Sequence, residues 1–409
     1  MRAHGDALIL GWIAGTALVL GCSTEDELDA GAAARASSEQ ALAVASCTQE
    51  SDCTGGLACI DATCRTCSGH AQCESDVCDQ GAATRMGPGA CLPEAAVIYV
   101  DAGTRPACTA GDGSRGNPLC DIRDAIPRAI GAQYAIRVYP GHYFPFGATD
   151  RTFSVFGPGD GSAVVGEEDI TAGARISGAR SRVVLDGLDF GVHVLTGVVC
   201  DGASLKVLRG SARGDVRGIR ATNCALEVDR VRAGGAIQSG LTIAGTGSYR
   251  ITNSYFSGGD AQAVVFDGSS TGTFQFNTVG GGGELQPGGI ACGTTARVIQ
   301  DSIVVGSTPA AGGAQTVGAC THRRVVVGSG DTRPDPALIK IDPALDPEGR
   351  LLETPASLAC CIDRGARYVS SLYRDFFGTP RPQGASNDIG AHELPRPGSI
   401  GSIGSIGVY

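Results

Sequence analysis

Strand-length apolar runs recur through the second half of the chain at a nearly fixed interval, and few folds accept that pattern. Segments opening with Gly197-Val198-Val199, Gly218-Ile219-Arg220, Gly240-Leu241-Thr242, Ala263-Val264-Val265 and Gly289-Ile290-Ala291 start 21, 22, 23 and 26 residues apart. A second element recurs within them, and its polar residues Asp229, Asn253, Asn277 and Asp301 are 24, 24 and 24 apart. Short apolar strands with Gly, Asn and Asp at the corners, repeated every two dozen residues or so, describe the coils of a parallel β-helix. Asn and Asp suit a corner because their short side chains tolerate left-handed backbone angles, and stacked amides form a ladder. A leucine-rich repeat has a similar period, but its Leu/Asn consensus is missing here. A β-sandwich would not keep the period.

Composition agrees with a folded, mainly β chain. Gly and Pro number 62 and 19 of 409 residues, above the average share yet short of a low-complexity disordered chain. A hydrophobic content of 42% with 5% aromatic supports a large core of Val, Ile, Leu and Ala. The formal charge of −10 is uneven. Residues 22–46 and 47–93 each carry net −4, leaving a near-neutral remainder. A near-neutral main domain behind an acidic front is poorly suited to displace counterions, so nucleic acid is not an expected partner.

The front of the chain reads as an address. Arg2 precedes a 15-residue apolar run from Ala7 to Gly21, too short to span a bilayer and suited to an export signal. It ends in Leu18-Val19-Leu20-Gly21-Cys22, which resembles the bacterial lipobox. That resemblance implies a signal peptide over 1–21, a lipid on Cys22 and a membrane partner through that anchor. An ordinary cleaved signal or an anchor helix is the competing reading. Ser23 after the cysteine implies, by the same resemblance, an outer-membrane rather than inner-membrane lipoprotein. Residues 22–46, rich in Ala, Ser, Asp and Glu, read as a flexible acidic tether.

Beyond Cys22 there are 16 cysteines, an even number for an oxidising compartment. Eight crowd residues 47–93, at Cys47, Cys53, Cys59, Cys64, Cys67, Cys73, Cys78 and Cys91. So short a stretch with almost no aliphatic core relies on disulfides to restrict its unfolded state. The run "CTQESDCTGGLACIDATCRTC" resembles the Dickkopf-type cysteine-rich modules at the front of bacterial surface lipoproteins. Its spacing selects no pairing. Zinc on the Cys64-x-x-Cys67 pair is a weaker reading, since no second such pair is present.

Both ends of 94–395 are similar to right-handed parallel β-helix proteins of bacterial surfaces. The opening "IYVDAGTRPACTAGDGSRGNPLCDIRDAIPRAIGAQYAIRVYPGHY" runs strand, Gly-rich loop, helix, strand and Pro-Gly turn. Ile122, Ala125, Ile126, Ala129 and Ile130 predict a short capping helix, with Asp124 as its N-cap so that Pro127 falls in the first turn. The closing "LLETPASLACCIDRG" and "DFFGTPRPQGASNDIGAHE" resemble the choice-of-anchor motif. Repeat register makes Cys292 with Cys320 a bridge between stacked coils, and Cys200 with Cys224 a candidate for another. Cys108 with Cys120 would close the Gly-rich loop, while Cys360 and Cys361 form a vicinal bridge or pair elsewhere. The tail 396–409 repeats Gly-Ser-Ile and reads as flexible.

The fold implied is thus a single-chain right-handed parallel β-helix with a short N-terminal capping helix, behind a small disulfide-rich module. The expected function is recognition: a lateral face binding a cell-surface or matrix ligand, carbohydrate or protein, without cofactor or metal. The fold is also that of polysaccharide lyases and hydrolases of acidic polysaccharide. For such an enzyme the candidates are Arg213, Asp215, Arg217, Asp229 and Arg230, because lyase chemistry uses an arginine base beside acidic groups. No Gly-His-Gly of the hydrolases is present. Asp186 and Asp189 alternate with apolar residues and read as an exposed strand face.

Overall fold

Three parallel sheets wind about one apolar core in the computed structural model of the chain. It describes residues 46–80, 89–104, 111–166, 171–191, 194–259, 262–280, 289–305, 314–367 and 374–395. The signal segment, Cys22, the tether up to residue 45, Cys108 and the tail lie outside these residues. Sheet 1 has ten strands, from Val97–Val100 to Cys320–Arg323; sheet 2 has ten, from Gly141–Tyr143 to Leu338–Lys340. Sheet 3 has eight, from Phe146–Thr149 to Thr316–Val317. One rung visits the sheets in turn, as in Ser204–Leu208, Ser211–Gly214 and Arg217–Thr222, and the next rung pairs with it in parallel. This is a parallel β-helix.

The repeat has a steric origin. Gly197, Gly218 and Gly240 stack where the chain turns into sheet 3, and a Cβ at Gly218 would lie 2.5 Å from the carbonyl oxygens of both Ala212 and Gly240. Inward positions of sheet 1 form a ladder of Val155, Leu185, Val207, Val228, Ile251, Phe274 and Ile299, each at most 2% exposed. Each such side chain contributes roughly 1.5–3 kcal/mol when fully buried. The ladder ends at His322, which pairs with Ile299 in the last rung of sheet 1.

Between sheets 1 and 2 seven successive rungs turn through one left-handed residue each: Gly187, Arg209, Arg230, Asn253, Phe276, Asp301 and Arg324. The predicted polar ladder is corrected here. Asn253 and Asp301 occupy that position, whereas Asp229 ends its strand one residue before it and Asn277 follows one residue after it. The four still bond across rungs: Asn253 Nδ2 donates to Asp229 Oδ1 at 2.9 Å, and Asn277 Nδ2 to the Ile251 carbonyl at 3.0 Å.

The capping helix is shorter than its spacing predicts. Helix α1 covers Ile122–Ala125 and is capped by Asp121, whose carboxylate accepts from the Arg123 N–H at 2.9 Å. Asp124 lies inside it. Pro127 lacks an N–H to continue the helix, so the chain passes into a 3-10 turn over Ile126–Arg128 and Ile130 is left 64% exposed.

Residues from Ser46 onward form one unit. The cysteine-rich segment is bridged Cys47–Cys59, Cys53–Cys64, Cys67–Cys78 and Cys73–Cys91. It docks on the outer face of sheet 1 at its N-terminal end, where Val77 and Leu92 share an apolar cluster with Val97, Tyr99, Ala135 and Phe156. A closing segment after Lys340 does the same to sheet 2 at the other end. Leu351, Ile389 and the bridged pair Cys360–Cys361 pack on Ile303 and Val326, whose strand neighbours Val304, Val325 and Val327 face the core. Helix α2, Pro355–Cys360, lies in that segment and is capped by Thr354. Among the described residues no helix is long and apolar enough to cross a membrane.

Candidate functional site

Two of the three lateral faces are partly occupied. The cysteine-rich module covers the start of sheet 1, and the closing segment covers the end of sheet 2. Among the described residues, no apolar cluster joins another segment to the outer face of sheet 3. Its outward column runs Gly147, Arg175, Val199, Arg220, Thr242, Val265, Ala291 and Val317, in register across all eight strands. A second column holds Thr149, Ser177, Asp201, Thr222, Ala244 and Asp267. Arg175, Asp201, Arg220, Asp267 and Val317 are exposed. Eight strands at about 4.8 Å give a strip about 34 Å long.

The five arginine and aspartate candidates do not meet at one point. Arg213 is exposed in Ser211–Gly214 of sheet 2, and Arg217 opens the sheet 3 strand of the same rung, with exposed Asp215 between. Asp229 and Arg230 lie at the opposite corner of the next rung. There the Asp229 carboxylate accepts from Arg230 Nε at 2.9 Å, Thr252 Oγ1 at 2.8 Å and Asn253 Nδ2 at 2.9 Å, so it is committed to the corner. Asp186, expected on an exposed face, is fully buried and forked by Arg209 at 2.7 Å through both Nε and Nη2.

Bridges tie the rungs where sheet 3 hands over to sheet 1. Cys200 joins Cys224 with Cα atoms 6.4 Å apart, and Cys292 joins Cys320 at 5.3 Å. Each links the end of one sheet 3 strand to the chain entering sheet 1 one rung later. Cys120 is also disulfide-bonded. The sulfurs of Cys47, Cys53 and Cys64, and of Cys67, Cys73 and Cys91, gather within 4.8 Å. All six are half-cystines, so neither group offers the thiolates a zinc site needs.

Two polar clusters escaped sequence reasoning. At the last rung Thr316 Oγ1 lies 2.9 Å from His322 Nε2, and His322 Nδ1 lies 2.6 Å from Asp335 Oδ2. This is the bonding order of a nucleophilic triad. Thr316 is 1% exposed, however, and Arg333 donates to both its hydroxyl and its carbonyl oxygen. The cluster therefore closes the polar end of the stack. In the closing segment Arg381, fully buried, donates to Glu393 Oε2 at 3.0 Å and to the Asp388 and Gly390 carbonyls. Burial pushes the Asp375 carboxyl up to about 6. Nearby, Arg232 stacks on Tyr255 at 4.9 Å and reaches Phe376 at 5.7 Å.

No family model, no curated protein and no solved structure matches the chain. The functional reading therefore rests on the residues of this chain.

Proposed function

We propose that this chain is an exported, lipid-anchored surface protein whose β-helix binds a carbohydrate of a cell surface or matrix. The observation that supports this reading is the outer face of sheet 3, on which, among the described residues, no apolar cluster seats another segment, whereas parts of the other two faces are covered. A flat strip of arginines, aspartates, hydroxyls and small apolar groups offers the short-range donors and acceptors that sugar hydroxyls require. Export is supported by seven described disulfides, which persist in an oxidising compartment. Cys22 supplies the anchor, and Ser23 directs the protein to the outer membrane.

Two measurements test the reading. Metabolic labelling with a palmitate analogue should mark the wild-type chain and not Cys22→Ser. A glycan array probed with residues 23–409 should show binding that Thr242→Glu abolishes. Absence of binding to every glycan would overturn the reading. Release of reducing sugar or of unsaturated ends would favour an enzyme instead.

A further inference from the structure

The arginines of this protein divide into two populations. Arg115, Arg123, Arg209, Arg230, Arg324, Arg333, Arg350 and Arg381 each meet a carboxylate and are engaged within the fold. Among the described residues Arg213, Arg217 and Arg220 meet none, although all three lie on a single rung. Eight residues thus carry three guanidinium groups without a carboxylate partner around the corner where sheet 2 passes into sheet 3. Neighbouring rungs extend the set. Arg232 lies one rung on and close enough to Arg213 to feel its charge, but it is engaged: it donates to the Glu348 carbonyl at 2.6 Å and stacks on Tyr255. Arg175 stands two rungs before Arg220 in the same outward column, with only Val199 between them, a separation of about 10 Å.

Arg217 and Arg220 stand close enough to feel each other's charge. Burial and the proximity of Arg220 both weaken the hold of Arg217 on its proton. A folded protein gains nothing from that crowding, whereas an incoming anion does, because a guanidinium fork binds carboxylate or sulfate bidentately. The partner that fits is not an aromatic-stacked polymer, since neither outward column of sheet 3 contains a ring. It is one that carries hydroxyls as well as charge: Thr242 pairs with Arg220 on the next rung, Thr222 lies two residues along its own strand, and both offer neutral donors and acceptors.

Resting on the carbohydrate reading above, the geometry points to a subsite for the anionic groups of a carboxylated or sulfated polysaccharide, formed by Arg213, Arg217 and Arg220. Arg175 continues it along the stack. A chain lying along the helix axis passes from the rung of Arg175 over Val199 to the rung of Arg220, with Asp201 beside that path in the second column.

The test uses the disulfide-bonded protein, residues 23–409, on immobilised polymers in 50 and 300 mM salt. The polymers are polygalacturonate, dextran sulfate, neutral dextran and polyglutamate. Binding to one or both anionic polysaccharides, weakened at high salt, is expected. The combined variant R213Q/R217Q/R220Q should lower affinity by about tenfold or more while keeping the wild-type melting temperature. Preference for polygalacturonate identifies carboxylate as the ligand group, and preference for dextran sulfate identifies sulfate. Equal binding of neutral dextran and of the triple variant would overturn the subsite and leave the carbohydrate reading standing. Polyglutamate bound as tightly as the polysaccharides would overturn the subsite in favour of an acidic peptide. Failure to bind any polysaccharide would overturn both readings.

Discussion

Arg209 forks the buried carboxylate of Asp186 across two rungs, Nε and Nη2 each 2.7 Å from an oxygen. Asp186 ends a sheet 1 strand, and Arg209 is the left-handed corner of the following rung. His70 of the cysteine-rich module lies 3.5 Å from the same guanidinium. The pair therefore supports both the stack and the docked module. Arg209→Ala leaves a buried carboxylate without its partner and should cost about 3–5 kcal/mol. Removing both charges with Asp186→Asn and Arg209→Leu should cost less than the two single changes together. Urea unfolding of the singles and the double measures this, and additive losses would contradict the pairing.

His70 sets the pH response of the module. Burial, with Arg137 and Arg209 beside it, depresses its pKa to about 2. Its Nδ1 accepts the Cys78 N–H at 3.0 Å, which leaves that nitrogen no place for a proton. A histidine whose pKa falls on folding binds fewer protons folded than unfolded below about 6.5. Docking is thus strongest above that pH and weakens as pH falls below it, by up to roughly 1.4 kcal/mol per pH unit. Amide exchange at Cys78, corrected for intrinsic rate, should accelerate between pH 7 and 4.5. His70→Gln should flatten that dependence, and a wild-type exchange rate independent of pH would count against it.

The bridge Cys292–Cys320 closes a 28-residue span across the last rungs. Replacing both cysteines with serine should lower stability by roughly 3–4 kcal/mol. Contacts in a solenoid run between neighbouring rungs, so the loss should be local. Exchange should rise in Arg297–Gln300 and Cys320–Arg323 while Leu205 and Val207 stay protected. Uniform loss of protection through the stack would contradict this.

Gly218 carries the repeat in steric form. Its hydrogen points at two backbone oxygens that a methyl group would meet at 2.5 Å. Gly218→Ala should cost about 1–3 kcal/mol by overpacking, read as a drop in melting temperature. An unchanged melting temperature would show that sheet 3 yields at that turn.

The period and the parallel stacking were legible because they have a local cause: backbone crowding at the turn into sheet 3 admits Gly at Gly197, Gly218 and Gly240. The corner between sheets 1 and 2 was only partly legible. Its left-handed residue is Asn253 in one rung but Arg209, Arg230, Phe276 and Arg324 in others, types that pay to adopt that conformation and signal nothing in sequence. Asp186 alternated with apolar residues like a solvent-facing strand, yet its partner sits 23 residues away in the next rung. Helix α1 ends early because Pro127 cannot extend it. As for the site, the arginine-rich stretch was visible in sequence, but which arginines are engaged depends on contacts between rungs. Only the fold separates Arg230, tied to Asp229, from Arg213, Arg217 and Arg220, which meet no carboxylate among the described residues.

Hydroxyl-radical footprinting of the protein with and without saturating polysaccharide tests the central claim most directly. Protection is expected to be confined to outward side chains of sheet 3 and its leading corner, among them Val265 and Val317, with Phe377 and Tyr139 unchanged. Protection concentrated on the cysteine-rich module or the closing segment, with sheet 3 still fully reactive, would contradict it.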